Sequence, residues 1–294
     1  MKNNDFNKGI TLTALGSFWW GVIGVLYFEY ISFVGHLEVV LHRCIWTAFF
    51  LILSTSYFSK WDIFFKIIGN TKNLITLFFS GLLIFTNWAV WIYAVSSNQI
   101  INASFGYFIM PILSVFLGYL FFKEKLTSKR IISIGLVLIS IFFLLLFNFQ
   151  SIPWVGLIVA LSWGFYNLLR KLINVDTDVG LLIESLFILP FAVVAFYIIT
   201  INGFSDFGIS NLSLSLLLLL AGPMTVIPLF LYVRGVELCG LGPSGMIFYI
   251  TPTFQFILGY FHYNEPFSVI KLASFTLIWI AVIIYLKDLN EDYQ

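Results

Sequence analysis

The stretch PILSVFLGYLFFKE at residues 111–124 recurs 141 residues later as PTFQFILGYFHYNE at residues 252–265. Both copies keep a proline, a Leu-Gly-Tyr triplet and a glutamate in the same register, and both lie in strongly apolar surroundings. A pattern preserved at one fixed distance indicates an internal repeat, in which two parts of a chain form the same structural unit. The repeat divides this chain into residues 1–149 and 150–294.

The composition places these repeats in a membrane. Of the 294 residues 60% are apolar and 19% aromatic, and only 10% are charged, whereas about a quarter of the residues of a soluble domain are charged. So few charges cannot cover a water-exposed surface, and the apolar excess is expected to face lipid. The net charge of +1 argues against a nucleic-acid partner. Cys44 and Cys239 lie far apart in apolar runs, which does not indicate a disulfide framework.

Ten apolar runs are long enough to cross a bilayer, because about 20 helical residues span its hydrocarbon core. Each repeat holds five of them, and the connections are too short to form a separate soluble domain. The runs lie near residues 10–28, 39–58, 74–95, 100–122, 131–149, 152–169, 179–201, 212–233, 243–262 and 270–286.

Five spans per repeat is an odd number, so the second repeat enters the membrane from the opposite face. The predicted fold is an all-α membrane protein with about ten transmembrane helices, arranged as two inverted five-helix repeats. A Trp-Gly pair in the first and sixth runs, at residues 20–21 and 163–164, adds to the internal likeness. Inverted repeats are typical of transporters with alternating access. An old duplication without mechanistic consequence is the alternative.

The distribution of cations predicts the orientation. With the N-terminus inside, all but Lys271 and Arg43 of the 15 Lys and Arg residues lie in cytoplasmic segments or at cytoplasmic span ends, as the positive-inside rule requires. Both termini are then cytoplasmic. The uncharged run at residues 10–28 is long enough to span and stay, so we expect no cleaved signal.

Several stretches closely resemble one known family over nearly the whole chain. They are Leu41-His42-Arg43, Asn102 through Pro111, Ser162 through Lys171, Glu184 and Pro190, Gly222-Pro223 with Pro228, and Tyr249-Ile250-x-Pro252. These residues resemble the RarD branch of the EamA-type drug/metabolite transporters. The resemblance implies a ten-helix bundle with a central cavity, in a bacterial inner membrane, that moves small organic solutes.

Three ionisable residues lie inside or at the start of spans, where a charge costs at least about 2.5 kcal/mol. Arg43 begins the second span near the outer face, and Glu184 occupies the matching place in the second repeat near the inner face. We assign each to the mouth on its own side. Snorkelling, or local pairing of Arg43 with Glu38, is an equal alternative. His42 is a candidate for proton coupling, or simply a hydrogen-bonded histidine at a helix start.

Prolines and polar residues mark the spans expected to line the pathway. A mid-helix proline frees the carbonyl four residues earlier, which for Pro111 is that of Tyr107. The candidates for the central cavity and its gating are Asn87 and Trp88 in the third span, Tyr107 and Pro111 in the fourth, Pro223 and Pro228 in the eighth, and Tyr249, Pro252 and Gln255 in the ninth. Simple packing kinks are the alternative.

Four aromatic residues neighbour small or polar residues within apolar spans, and we expect them to form an aromatic cavity for the solute. They are Trp88, Tyr107, Trp163 and Tyr166. For any one of them, core packing between helices explains the position equally well.

No phosphate-binding loop, His-Glu-x-x-His motif or paired-cysteine site occurs in the sequence. We therefore expect no cofactor, no metal and no catalytic residue. The predicted function is secondary transport of a small-molecule solute through the lipid bilayer, as a permease or exporter. An intramembrane enzyme or an assembly subunit is the alternative. The fifth and tenth spans are almost purely apolar, so a homodimer through them stays open beside lipid contact.

Overall fold

The computed structural model describes residues 3–96, 100–148, 154–173, 175–262 and 269–293. These residues are almost entirely helical and contain no strand. The helices are α1 Asn3–Trp19, α2 Val25–Tyr30, α3 His36–Tyr57, α4 Trp61–Ile68, α5 Thr71–Ser96, α6 Ile100–Phe122, α7 Ser128–Asn148, α8 Trp154–Leu172, α9 Thr177–Ile201, α10 Leu212–Cys239, α11 Leu241–Ile247, α12 Ile250–Phe261 and α13 Val269–Tyr293.

Eight stretches of this structure are long and apolar enough to cross a membrane, so the chain is a multi-pass membrane protein. Two predicted spans, 152–169 and 243–262, are not among the eight. The first falls on α8, whose last turn carries Arg170 and Lys171. The second is divided into α11 and α12, and neither piece reaches bilayer length alone.

The most extensive helix contacts all join a helix from before residue 149 to one from after residue 150. Helix α1 packs on α10, α3 on α9 and α10, α5 on α8 and α9, α6 on α8 and α11, and α7 on α13. The two parts of the chain therefore share one interior. Helices α7 and α13 form an outer pair, in which Ser133 Oγ donates to the Ala281 carbonyl at 2.6 Å and Ser140 Oγ to that of Ser274 at 2.9 Å.

Two carboxylates, the partly buried Glu124 and the buried Glu38, tie distant backbone segments together. Glu124 accepts hydrogen bonds from the backbone N–H groups of Leu241 and Gly242, each at 2.8 Å, at the start of α11. Gly240 turns the chain between α10 and α11 with a φ of +102°, a value that favours glycine. Glu38 of α3 accepts hydrogen bonds from the backbone N–H groups of Asp206 and Phe207 in the connection before α10.

Candidate functional site

A cavity opens between helices of both parts of the chain, with an empty volume of about 600 Å³ that includes its open mouth. Seven aromatic side chains and four polar ones line it, together with Gly24 and Val25. The aromatic residues are Trp20, Phe28, Trp88, Trp91, Tyr107, Trp163 and Phe248, and the polar residues are Arg43, Asn87, Thr251 and Gln255. Mostly apolar walls with a few polar groups are typical of solute sites in proteins.

Two irregular backbone segments face the cavity. Residues Trp20–Gly24 form a π-helical turn between α1 and α2, a feature that is frequent at functional sites. Opposite it, the helix breaks between α11 and α12, which places Phe248 at the junction. Gly21 allows the two segments to approach, because a Cβ there would lie 3.0 Å from the Thr251 carbonyl oxygen. Thr251 Oγ1 also donates to the Ser17 carbonyl at 2.8 Å.

Arg43 is the charged residue of the cavity wall, and its side chain is only 6% exposed. Its Nε donates to Thr225 Oγ1 at 3.2 Å. The guanidinium carbon lies 4.7 Å from the centre of the Phe28 ring and 4.9 Å from that of Trp88. No carboxylate of the described residues comes within 4.0 Å of this guanidinium, and Glu38 makes the backbone contacts described above instead.

Asn87 is held in a fixed orientation on the same wall. Its amide nitrogen donates to the Val159 carbonyl at 3.0 Å and to Ser162 Oγ at 3.1 Å, so α5 is joined here to α8. The amide oxygen accepts no hydrogen bond from the residues that the structure describes. A solute N–H or O–H group could therefore donate to Asn87 without displacing an existing contact.

A cluster of aromatic rings packs around Trp163 on one side of the cavity. Trp163 contacts Trp20 edge to face, with ring centres 5.1 Å apart, and stacks on Tyr166 at 5.4 Å. Tyr232 lies 5.4 Å from both Trp163 and Phe248. Tyr166 and Tyr232 are fully buried. They form a second layer behind Trp163 and do not line the cavity.

A buried charge network continues beyond this aromatic layer. Glu184 accepts hydrogen bonds from Ser80 Oγ at 2.5 Å and from the Tyr166 hydroxyl at 3.2 Å. Arg170 is 1% exposed and lies 3.6 Å from the carboxylates of both Glu184 and Glu237. This network joins α5, α8, α9 and α10.

The remaining predicted site residues lie outside the cavity wall. The His42 ring accepts a hydrogen bond from Trp46 Nε1 at 2.9 Å, and its Nε2 is 3.6 Å from Glu38. The Tyr249 hydroxyl donates to the Phe108 carbonyl at 2.8 Å. Four prolines belong to helices near the cavity without lining it, namely Pro111, Pro223, Pro228 and Pro252.

The repeat contains a signal for two of the lining residues that were not predicted. Phe248 lies 141 residues after Tyr107, and both rings line the cavity 5.7 Å apart. Trp20 belongs to the Trp-Gly pair that recurs at Trp163. Phe28, Trp91 and Thr251 carry no comparable signal, because similar aromatic and hydroxyl residues occur throughout the spans.

Comparisons with known proteins agree on one family. The model of the EamA-like transporter family matches residues 7–146. "Protein RarD" of Escherichia coli (strain K12) is 33% identical over 288 residues, which cover 98% of this chain and 97% of that protein. "Uncharacterized transporter YojE" of Bacillus subtilis (strain 168) is 32% identical, over 97% of this chain and 95% of its own length.

Two more distant likenesses extend this result. "Chloramphenicol-sensitive protein RarD" of Pseudomonas aeruginosa is 26% identical over 258 residues, 84% of this chain and 83% of its own. A solved crystal structure with 14% sequence identity has a TM-score of 0.71 and covers 97% of this chain and 98% of its own, a likeness of fold. The chain belongs to the EamA-like transporters of the drug/metabolite transporter superfamily, within the group of RarD proteins.

Proposed function

We propose that the protein is a secondary transporter that moves small organic metabolites or drugs across a bacterial inner membrane by alternating access. The observation that carries this proposal is the aromatic cavity, which helices from both parts of the chain line. A cavity of this kind can admit a solute from one side while the opposite end excludes water. Transport then requires that the closed and open ends exchange.

The proposed architecture is ten spans in two inverted repeats, with α8 and the α11–α12 pair as the two additional spans. The pairing of helices supports it. In each half the first long helix packs on the third span of the other half, as α1 on α10 and α8 on α5. The second span likewise packs on the third of the other half, as α3 on α10 and α9 on α5. A pseudo-two-fold axis would produce both correspondences.

The proposed orientation has both termini in the cytoplasm, which the distribution of Lys and Arg supports. Helix α3 begins near the cavity and ends beside Lys60, so the cavity would open toward the periplasm and the charge network would close the cytoplasmic end. We assign gating to Glu184 and Tyr166 in this network. The prolines at positions 111, 223, 228 and 252, together with His42 and Tyr249, are proposed to support the helix movements around the cavity.

A binding screen tests the proposal directly. Purified protein in detergent is heated with amino acids, nucleosides, vitamins or chloramphenicol, because a ligand that binds the native state raises the unfolding temperature. Each compound that stabilises the protein is then tested for uptake into proteoliposomes. We expect Trp163→Ala and Asn87→Ala to abolish both responses. Phe143→Ala, on the exposed face of α7, is the control and should retain both.

Binding without transport in sealed vesicles would contradict the transporter proposal. Transport that survives Trp163→Ala and Asn87→Ala would place the solute elsewhere than in this cavity.

A further inference from the structure

The Arg43 guanidinium is a buried cation with two unused donor groups at the cavity. Nε is satisfied by Thr225, whereas neither Nη atom donates a hydrogen bond to any residue in the described ranges. An ionised group taken out of water without a partner is costly, and a buried charge is normally paired. The rings of Phe28 and Trp88 offset part of this cost through cation–π contacts. They provide no acceptor for the Nη–H groups.

Two other buried arginines of this chain, unlike Arg43, lie beside carboxylates. Arg130 Nε lies 2.7 Å from the Asp288 carboxylate. Arg170 has Glu184 and Glu237 on either side, each at 3.6 Å. Both therefore have built-in counter-charges. Arg43 has none among the residues described, although it too is buried, and its guanidinium lines the cavity.

The positive charge of the cavity wall favours a negatively charged solute. Among its lining residues Arg43 is a cation and none is an acid. The planar guanidinium fork matches a carboxylate through two parallel hydrogen bonds. A carboxylate neutralises one arginine, whereas a phosphate monoester carries about −1.5 to −2 at neutral pH and would leave surplus charge in an apolar cavity.

The rest of the wall indicates the body of the solute. Trp88 and Trp163 offer flat apolar surfaces, and the free oxygen of Asn87 and the amide of Gln255 can accept a hydrogen bond. Resting on the proposed transport function, we propose that the cavity selects small aromatic monocarboxylates and that the Arg43 guanidinium binds their carboxylate group.

The test compares ligands of one shape and different charge. Indole-3-acetate, indole-3-acetamide, tryptamine and indoxyl phosphate are applied to the full-length protein, as are benzoate and benzamide. Thermal stabilisation in detergent measures binding, and counterflow in proteoliposomes measures transport. We expect each carboxylate to bind at least about ten-fold more tightly than its amide, and the amine and the phosphate to bind more weakly still.

Variants connect this preference to Arg43. Arg43→Gln should abolish the preference for carboxylate over amide, and Arg43→Lys should retain a reduced one, because a point charge without the planar fork remains. Lys129→Gln removes an exposed cation on α7 and should leave the preference unchanged. If Arg43→Gln does not fold, Arg43→Lys still tests the role of the guanidinium. An unaltered preference for carboxylate over amide in Arg43→Lys would overturn that role.

The outcomes separate this inference from the proposed function. Transport of the amides or the amine, without preference for carboxylates, overturns the inference and leaves the transporter proposal standing. A stronger response to indoxyl phosphate overturns the monocarboxylate class. Absence of a response to every carboxylate, in a preparation that transports another solute, also overturns the inference. Failure to transport any solute contradicts both proposals.

Discussion

Arg43 and Glu184 occupy equivalent positions 141 residues apart, yet the structure uses their charges differently. Arg43 contacts aromatic rings and a hydroxyl group at the open cavity. Glu184 is enclosed by Ser80, Tyr166 and Arg170. Two buried ionisable residues at the spacing of the sequence repeat thus differ in both their charge and their partners. The two charges match the roles proposed for them, Arg43 in solute binding and Glu184 in gating.

Replacing Glu184 by glutamine tests the structural role of the buried network. The variant keeps a side chain that can bond Ser80 and Tyr166, but Arg170 loses one of its two nearby carboxylates. Breaking a buried ion pair costs about 3 kcal/mol. We expect the unfolding temperature in detergent to fall by several degrees. Glu291→Gln removes the partner of the exposed Lys129 and should leave the unfolding temperature nearly unchanged, because exposed ion pairs contribute little to stability. Equal stability of the two variants would contradict the role of Glu184.

At the scale of helices, the two copies of the proline motif differ more than their sequences suggest. Helix α6 runs through Pro111 without interruption, and α10 runs through Pro223 and Pro228. The second copy breaks between α11 and α12, just before Pro252. The residues ahead of this break are Gly242-Pro243-Ser244-Gly245, whereas the first copy has Ile101-Asn102-Ala103-Ser104. Gly and Pro weaken a helix, so α11 is the less stable of the two equivalents.

Glu124 compensates for this weakness at the start of α11, and Glu124→Gln tests it. Each oxygen of the Glu124 carboxylate accepts from one N–H group, of Leu241 or of Gly242, whereas glutamine has a single acceptor oxygen. Glutamine also lacks the negative charge that is favourable at a helix N-terminus. We expect a loss of about 1–2 kcal/mol and faster hydrogen exchange in residues 241–247, measured by mass spectrometry. Exchange in α7 should stay unchanged. Unaltered exchange in α11 would mean that Glu124 is not its cap.

Close packing between α1 and α10 depends on a glycine. A Cβ on Gly235 would lie 2.1 Å from Thr13 Oγ1 and 2.8 Å from the Thr13 backbone nitrogen. Gly235→Ala should therefore destabilise the protein by about 1–3 kcal/mol, as overpacking does. Gly135 of α7 has open space around it, so Gly135→Ala should be neutral or stabilising through its better helix propensity. Thermal unfolding of both variants measures the difference, and a stable Gly235→Ala protein would contradict this packing.

The helical membrane fold of the whole molecule could be predicted from the apolar runs, because lipid leaves helices as the main way to satisfy the backbone. The span predicted near 39–58, for example, is the helix His36–Tyr57. The apolar runs do not predict which side chains contact each other across helices. Arg43 contacts Thr225, which is 182 residues away in the chain. The sequence places Arg170 at the cytoplasmic end of a span, but it does not predict that Arg170 is buried beside Glu184 and Glu237 of two other helices.

The end of α3 away from the cavity carries an ionic contact between the two halves of the chain. Lys60, after α3, donates to Asp176 at 3.0 Å and to Asp178 at 2.7 Å, both near the start of α9. Burial alone would lower the pKa of Lys60, but the hydrogen bonds to Asp178 and Asp176 hold it above its usual range. Burial alone would raise the pKa of Asp176, but its contacts with Asp178 and Lys60 hold it below its usual range.

These directions determine how the contact depends on pH. The raised pKa of Lys60 gives a stabilisation that is present below its unfolded pKa and lost as pH rises through the folded one. The lowered pKa of Asp176 gives one that is present above its unfolded pKa and lost as pH falls through the folded one. Between about pH 6 and about pH 9 the stability of this contact should therefore not change through the titration of Lys60 or Asp176. Added salt should weaken it, since both side chains are partly exposed.

A charge swap between Lys60 and Asp178 tests whether this contact holds the halves together. Lys60→Asp brings three carboxylates to one place, and their repulsion should open this end and speed hydrogen exchange at the start of α9, in residues 177–184. The double variant Lys60→Asp with Asp178→Lys again has one cation and two carboxylates, now with the cation at position 178. Its hydrogen exchange should return to within about two-fold of the native rate. Such a recovery would show that the two positions are energetically coupled. Lys129→Asp breaks the exposed pair with Glu291 and should leave α9 unaffected. If the double variant exchanges as fast as Lys60→Asp alone, the halves are held by apolar packing and the ionic contact is incidental.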